Sequence, residues 1–177
     1  VYHPDVRVWE VTNPQGELIG LWYFDPYARK GKRSGAWMNA YRTQEKFDGD
    51  IKTIVSNNSN FVKGKPGEPV LISWEDAKTL FHEFGHALHG LSSNVNYPSV
   101  AGTAVARDYV EFPSQLLEHW LSTPEILNKY ALHYQTGKPI PPMPGSSPSS
   151  ITTPRTRSAK RSDFRAAPMA GSPRPRR

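Results

Sequence analysis

The chain has 177 residues, enough for one domain of ordinary size, of which 37% are hydrophobic, and its mean hydropathy is −0.62. The net charge of +6 comes from one end: residues 1–137 carry 13 Lys and Arg against 15 Asp and Glu, whereas residues 138–177 carry nine basic residues and one acidic residue. The body of the chain therefore lacks the basic surface that nucleic acid requires, and no run of eighteen apolar residues offers a membrane span. Because the chain has no cysteine, disulfides and thiolate metal sites are excluded, and any metal must be held by His, Asp or Glu.

The first predicted elements form a β-hairpin. Val6–Val11 alternates apolar and polar residues, and Leu18–Phe24 is a second apolar stretch. Between them, Asn13–Gly16 has the composition of a tight turn. The charged segment Asp25–Arg33 is typical of a solvated basic loop. Ile51–Val55 predicts a third strand, followed by a loop rich in Asn and Ser.

Helical periodicity follows these strands. Ser73 and Asp76 have the spacing of a capping box, and apolar residues then recur at three- and four-residue steps from Trp74 to Leu91. This pattern predicts a helix of about five turns. Two shorter helices are predicted over residues 107–122 and 125–136. The elements together predict an α+β fold that is mainly α, with a small antiparallel β-sheet.

The composition changes at Pro139. Beyond it Pro, Ser, Arg and Ala dominate, and almost no apolar residue is left to build a core. We therefore expect a partial catalytic domain over residues 1–138 and a disordered basic tail over residues 139–177. So abrupt a change is typical of a frameshift in a GC-rich gene. A natural disordered tail is the alternative.

The pattern with the clearest chemistry is His82-Glu83-Phe84-Gly85-His86. His82 and His86 are four residues apart on a predicted helix, so both imidazoles project from one face at a spacing that suits a single zinc ion. Glu83 can then act as a base on water at the zinc without binding the metal itself. The alternative is a solvated helix face on which these residues stand together by chance.

The residues leave the third protein ligand open. Glu111 lies 25 residues after His86 among core-type neighbours, where a carboxylate needs a buried partner. Glu118, Asp108 and His89 are alternatives. His89 shares the helix face of His86, but three ligands from one short stretch would crowd the metal. A hydrogen-bonding role in the core fits His89 better.

A family resemblance rests on three segments of the chain, which are Tyr23–Trp37, Phe81–His89 and Glu111–Gln115. Together they resemble the thimet oligopeptidase family of zinc peptidases, and they occur in the family's order and spacing. The likeness extends from Val1 to about Pro139, and it is greatest to the bacterial peptidyl-dipeptidases and oligopeptidases of that family.

The resemblance assigns roles to the residues of the metal site. It implies one zinc per chain, held by His82, His86 and Glu111, and it makes Glu83 the general base and acid. The residues that we expect around these ligands, as groups that fix their orientation, are Asp108, Gln115 and His89.

The resemblance also implies an activity. It is the zinc-dependent hydrolysis of short peptides with release of C-terminal dipeptides, in a zincin-like segment of a larger helical peptidase. The strand around residues 51–57 would be an edge along which the peptide pairs its backbone. We expect short peptides as partners, with neither nucleic acid nor a membrane. The expected location is the cytoplasm, with the periplasm left open because the N-terminus looks incomplete.

The chain also departs from the family pattern. Family members are several times longer, and their N-terminal helical lobe has no counterpart in this sequence. The C-terminal segment that supplies a His and Tyr residues to the substrate is likewise missing. We therefore expect the chain alone to have weak activity or none. A zinc-binding remnant without catalytic activity is the alternative function.

Overall fold

A computed structural model of the chain describes residues 2–139 and 164–166. The strands are β1 (Arg7–Thr12), β2 (Leu18–Tyr27), β3 (Trp37–Arg42), β4 (Thr53–Phe61), β5 (Ala131–His133) and β6 (Phe164–Ala166). The helices are α1 (Trp74–Leu91), α2 (Arg107–Val110), α3 (Phe112–Leu121) and α4 (Pro124–Tyr130), with a 3₁₀ turn at Pro98–Val100. The fold is α+β, as predicted.

The main sheet has four strands in the order β1-β2-β4-β3. β1 pairs with β2 and β3 pairs with β4 in antiparallel fashion, but β2 and β4 run parallel. The prediction of an antiparallel sheet was therefore wrong, because β4 enters between β2 and β3 in the direction of β2. Within the described residues, strands and helices also contribute comparable shares, so this part of the chain is not mainly α.

β4 is longer and more buried than the sequence predicted. The Asn/Ser run expected to be a loop forms its second half, and the residues of that run that are buried are Ser56, Asn57, Asn58 and Ser59. The strands on both sides of β4 pair with its backbone amides and carbonyls through hydrogen bonds, so these residues can lie inside the fold. The expected substrate edge at residues 51–57 was wrong for the same reason, since β4 has no free edge.

The predicted hairpin is confirmed as β1 and β2. Its turn is closed by Asn13, whose Oδ1 accepts hydrogen bonds from the backbone amides of Gln15 and Glu17. Gly16 follows with φ of 87°, a left-handed conformation that glycine adopts without a steric penalty. The turn residues therefore explain where β1 ends and β2 begins.

α1 lies against the sheet and begins at the predicted capping box, in which Ser73 and Asp76 each accept a backbone hydrogen bond from the other. Val55 of β4 packs against Ala87 and Leu91 of α1, and all three are buried. Apolar residues of the sheet and of α1 surround this cluster. This packing fixes which face of α1 points away from the sheet.

The helix predicted over residues 107–122 is interrupted. α2 ends at Val110 and α3 begins at Phe112, with Glu111 at the junction. Pro113 explains the break, because it has no amide hydrogen to continue the ladder of hydrogen bonds. The interruption places Glu111 at a helix end.

The helix predicted over residues 125–136 was also wrong in its second half. α4 ends at Tyr130, and residues 131–133 form β5, which pairs with β6 at residues 164–166. After β5 the chain turns back, and the backbone carbonyl of Lys138 accepts a hydrogen bond from the amide of His133. Apart from β6, residues 140–177 lie outside the described residues, so the predicted disorder of the tail stays a prediction there.

Among residues 2–139, no helix is both long and apolar enough to cross a lipid bilayer.

The charged segment Asp25–Arg33 is only in part the solvated loop that the sequence predicted. β2 continues to Tyr27, and the buried Asp25 accepts a bidentate pair of hydrogen bonds from Arg29, at 2.5 and 2.6 Å. Lys32 Nζ donates to Asp25 Oδ1 and to the backbone carbonyls of Asp25, Tyr27 and Ser59. Burial alone would raise the pKa of the Asp25 carboxyl, but the hydrogen bonds from Arg29 and Lys32 outweigh it and hold that pKa below its ordinary value.

Lys32 therefore joins the ends of the parallel strands β2 and β4, and we predict that Lys32→Met destabilises the fold. Methionine has an unbranched side chain of similar length but no charge. The substitution leaves Asp25 and the backbone carbonyls of Tyr27 and Ser59 with fewer hydrogen-bond partners. We expect the free energy of unfolding to fall by about 3–5 kcal/mol. Urea unfolding followed by tryptophan fluorescence measures it. Lys30→Met is the matched control, because Lys30 is exposed in the same loop. Equal destabilisation by both variants would contradict the role assigned to Lys32.

Candidate metal centre

α1 carries the two histidines on one face. The ring centroids of His82 and His86 are 5.0 Å apart and their planes are nearly perpendicular. Their side chains are 25% and 12% exposed, so both rings are largely sheltered but reachable from solvent. The structure therefore brings the histidines together as the four-residue spacing predicted.

Glu111, at the junction of α2 and α3, faces these rings. Its Oε2 lies 3.2 Å from Nε2 of His82 and 3.2 Å from Nε2 of His86. One ligand atom from each of the three residues lies within 4.8 Å of the others. Of the four acidic and histidine alternatives weighed from the sequence, Glu111 is the one that the structure places in this group.

The spacing of the three donor atoms fits zinc. Zinc binds His nitrogen and carboxylate oxygen at about 2.0–2.2 Å, so two ligands at a tetrahedral angle lie about 3.3 Å apart. The two nitrogen-to-oxygen distances of 3.2 Å agree with that value. Two histidines and one carboxylate also make a three-ligand set that leaves a fourth position for water or substrate.

Glu118 adds a second argument for a cation at this point. Its Oε2 lies 3.2 Å from Nδ1 of His82. If His82 donates its Nδ1 hydrogen to Glu118, its Nε2 presents a lone pair towards the carboxylate oxygen of Glu111. Two lone pairs at 3.2 Å repel each other unless a proton or a metal cation lies between them. Glu118 thus supports His82 in the orientation that a metal ligand needs.

Ser114 fixes the carboxylate of Glu111. Its Oγ lies 2.9 Å from Oε2 of Glu111 and 2.8 Å from the backbone oxygen of the same residue, and Ser114 is fully buried. The side chain of Glu111 is 46% exposed, so this contact from the protein side limits its rotation. Ser114 was not predicted, although it stands within the Glu111–Gln115 motif, three residues after Glu111, at a spacing that reaches back along a helix.

Gly85 lets the two parts of the site approach each other. A Cβ atom at this position would lie 2.5 Å from Cα of Ser114 and 2.8 Å from the carbonyl oxygen of Pro113. Both are backbone atoms, which cannot turn aside as a flexible side chain would. α1 and α3 are therefore in backbone contact between the two histidines, and this contact brings Glu111 within reach of them.

Two of the three expected orienting residues are on the surface. Asp108 and Gln115 are both exposed, and within residues 2–139 neither side chain takes part in a hydrogen bond to Glu111. The structure instead places Ser114 and Glu118 beside the ligands. From the sequence alone, Glu118 was only an alternative ligand, because its contact with His82 depends on how α1 and α3 pack.

His89 stacks edge-on against Tyr109, with ring centroids 6.1 Å apart. Its Nδ1 is buried and has no hydrogen-bond partner among the described residues, and the same holds for Nδ1 of His86. Burial, assisted by the nearby His86, lowers the pKa of His89 below its ordinary value. His89 therefore packs as a neutral ring beside the donor set.

Glu83 is partly buried on α1 beside His82. Its backbone carbonyl accepts a hydrogen bond of 2.6 Å from Nδ2 of Asn57, a residue of β4. No side-chain hydrogen bond of Glu83 occurs within residues 2–139, so its carboxylate is free to act on a bound molecule.

Comparison with known proteins finds peptidases among the similar sequences. Residues 1–146 match the sequence model of peptidase family M3. The chain is 46% identical over 141 residues to dipeptidyl carboxypeptidase of Escherichia coli K12 and 42% identical over 144 residues to oligopeptidase A of the same organism. It is 34% identical over 174 residues to mitochondrial intermediate peptidase 2 of Cryptococcus neoformans.

These matches cover unequal shares of the two sequences. Each takes in 80% of this chain but 21% of the relative. The chain thus spans about a fifth of the length of the curated relatives that it matches. The likeness concerns one segment of a much longer peptidase.

We predict that Gly85→Ala weakens zinc binding by about tenfold or more, because the added methyl group pushes Ser114 and with it Glu111 away from the histidines. Isothermal titration with Zn²⁺ measures the affinity. Gly90→Ala is the matched control on the same helix, since its Cβ would meet only the ends of the side chains of Val55 and Met38, at 3.0 and 3.2 Å. An unchanged zinc affinity in Gly85→Ala would show that the helix contact does not set the site.

A further substitution tests the contact behind His82. Glu118→Ala should raise the dissociation constant for Zn²⁺ by about 10- to 100-fold, since the carboxylate no longer orients the imidazole. Competition with a chelating dye measures the constant. Glu125→Ala, an exposed position on α4, is the control for the loss of one negative charge. Equal constants for the two variants would contradict the role of Glu118.

Proposed function

The chain belongs to peptidase family M3, and we propose that it is the zincin-like catalytic segment of a zinc peptidase that hydrolyses peptide bonds in short peptides. The observation that carries the proposal is the position of Glu111 Oε2, 3.2 Å from the Nε2 atoms of both histidines. Glu83 next to the first histidine supplies the base that such a site needs.

The residues divide the chemistry between them. His82, His86 and Glu111 would hold one zinc ion, which when bound supplies the positive charge that polarises the scissile carbonyl and acidifies water. Glu83 takes a proton from the attacking water on its carboxylate and passes it to the amine nitrogen that leaves. These two proton transfers complete the hydrolysis: one water is consumed, its oxygen stays on the new carboxyl group, and the new amine receives a proton.

We place the peptide along β3 instead of along β4. β3 is an edge strand of the sheet, so its outer backbone groups are available for pairing with an extended peptide. Met38 of β3 pairs with Asn57 of β4, and Asn57 in turn contacts the backbone of Glu83. The free edge therefore runs close to the proposed base.

The names of two relatives support a proposal about the finer specificity. One of them is named a dipeptidyl carboxypeptidase and another an oligopeptidase. We propose release of C-terminal dipeptides from short peptides as the preferred reaction. Peptides with a free C-terminus should then be cleaved faster than the same peptides with a C-terminal amide.

A second candidate function is zinc binding without turnover. The observation in its favour is a row of exposed apolar side chains one helical turn apart on α3, namely Phe112, Leu116 and Trp120, which are 55%, 60% and 53% exposed. A surface of this kind is normally covered, and the chain spans about a fifth of its relatives. If the covering surface also supplied a group that stabilises the oxyanion, turnover without it would fall by about 10²–10³ in kcat.

Two substitutions separate metal binding from catalysis. His82→Ala should abolish stoichiometric zinc because it removes a ligand, whereas Glu83→Gln should keep one zinc per chain and lose any hydrolysis. Metal analysis by mass spectrometry and a quenched fluorescent peptide measure the two properties. Hydrolysis by the zinc-loaded wild-type chain supports the peptidase, and zinc without hydrolysis supports the second candidate. Equal loss of zinc in both variants would mean that the roles of His82 and Glu83 are wrongly assigned.

A further inference from the structure

Asn57 is a fully buried polar residue in the middle of β4, with 0% of its surface exposed. Its Nδ2 donates to the backbone carbonyl of Glu83 at 2.6 Å, and its Oδ1 accepts from Nε1 of Trp22 at 2.7 Å. A buried amide whose two ends are both hydrogen-bonded is held firmly, because any rotation leaves polar groups unpaired. The side chain thus connects β2, β4 and α1 at one point.

Trp22 determines which way the amide of Asn57 faces. The indole nitrogen can only donate, so the amide oxygen must point to it and the amide nitrogen must point to α1. The indole is held in turn by Trp9 and Phe84, whose ring centroids lie 4.7 and 4.9 Å from it. Phe84 follows Glu83 on α1, so the same indole touches the helix beside the proposed base.

The hydrogen bond joins two parts of the site that are built on different elements. The proposed metal ligands lie on α1 and at the α2–α3 junction, which meet in backbone contact at Gly85. The proposed peptide edge lies on β3, where Met38 pairs with Asn57. Among residues 2–139, the contact from Asn57 to Glu83 is the one side-chain hydrogen bond between the main sheet and α1.

We propose that Asn57 is a positioning residue that sets the register of α1 against the peptide-binding edge, and that Trp22 holds it in that orientation. The inference rests on the proposed peptidase function. Without Asn57, α1 and α3 can shift together against the sheet, so the metal ligands keep their mutual spacing. The distance from Glu83 and the metal site to the bound peptide changes instead.

The test compares Asn57→Ala and Trp22→Phe with Trp9→Phe, which alters the same aromatic stack without touching Asn57. For the zinc-loaded chain we expect kcat to fall by about tenfold or more in Asn57→Ala, because small displacements of reacting groups are costly. Trp22→Phe should show a smaller fall in the same direction. In both variants KM and zinc per chain should stay within about twofold of Trp9→Phe.

This pattern differs from that of general destabilisation, in which zinc and activity are lost together. A kcat of Asn57→Ala within about twofold of Trp9→Phe would overturn the proposal, and so would a loss of zinc equal to the loss of activity. If Asn57→Ala does not fold, Trp22→Phe decides by the same criteria.

A measurement without substrate separates this inference from the proposed function. In a helix, the carbonyl of Glu83 also accepts from the amide of Ala87, so loosening of α1 at this point should appear in the exchange of that amide. We expect the Ala87 amide to exchange at least about fivefold faster in Asn57→Ala than in Trp9→Phe. If the wild-type chain hydrolyses no peptide, the proposed function fails, and equal exchange rates in the two variants would overturn the positioning role.

Discussion

The candidate site depends on the backbone contact between α1 and α3 at Gly85. Two donors come from α1 and the third from the start of α3, so the distance between these helices decides whether the three can share one ion. A side chain as small as a methyl group would meet the backbone of Ser114 at 2.5 Å. The glycine between the two histidines is therefore a condition of the metal site, although it binds nothing itself.

Charge accumulates around this contact in a way that favours a cation. Glu111 and Glu118 approach opposite nitrogens of His82, each at 3.2 Å, and Glu111 also approaches His86. Two carboxylates therefore lie beside one imidazole, which concentrates acidic groups at the site. A divalent ion held between Glu111 and the two rings, as we propose, would be attracted by these carboxylates.

The sequence predicted the local parts of this arrangement well. The start of α1 and the shared face of His82 and His86 follow from caps and helical spacing, which depend on residues a few positions apart. The contacts of Glu118 and Asn57 could not be predicted in this way, because each joins elements 26 or more residues apart. The burial of β4 was missed because its Asn and Ser residues are typical of loops, and only the strands on both sides explain why they lie inside.

The same distinction between local and distant contacts bears on how much of a peptidase this chain contains. The donor set, the base and the groups that orient them fall between His82 and Glu118, in one helix pair with its own backbone contact. The candidate donor set thus falls within a short part of the chain, which itself spans about a fifth of the relatives' length. The proposed peptide edge is different, because β3 is joined to α1 through Asn57 and Trp22 and not through the proposed ligands. Under the proposed roles, metal affinity and turnover depend on separate contacts, and we expect a substitution in the sheet to impair turnover while the metal stays in place.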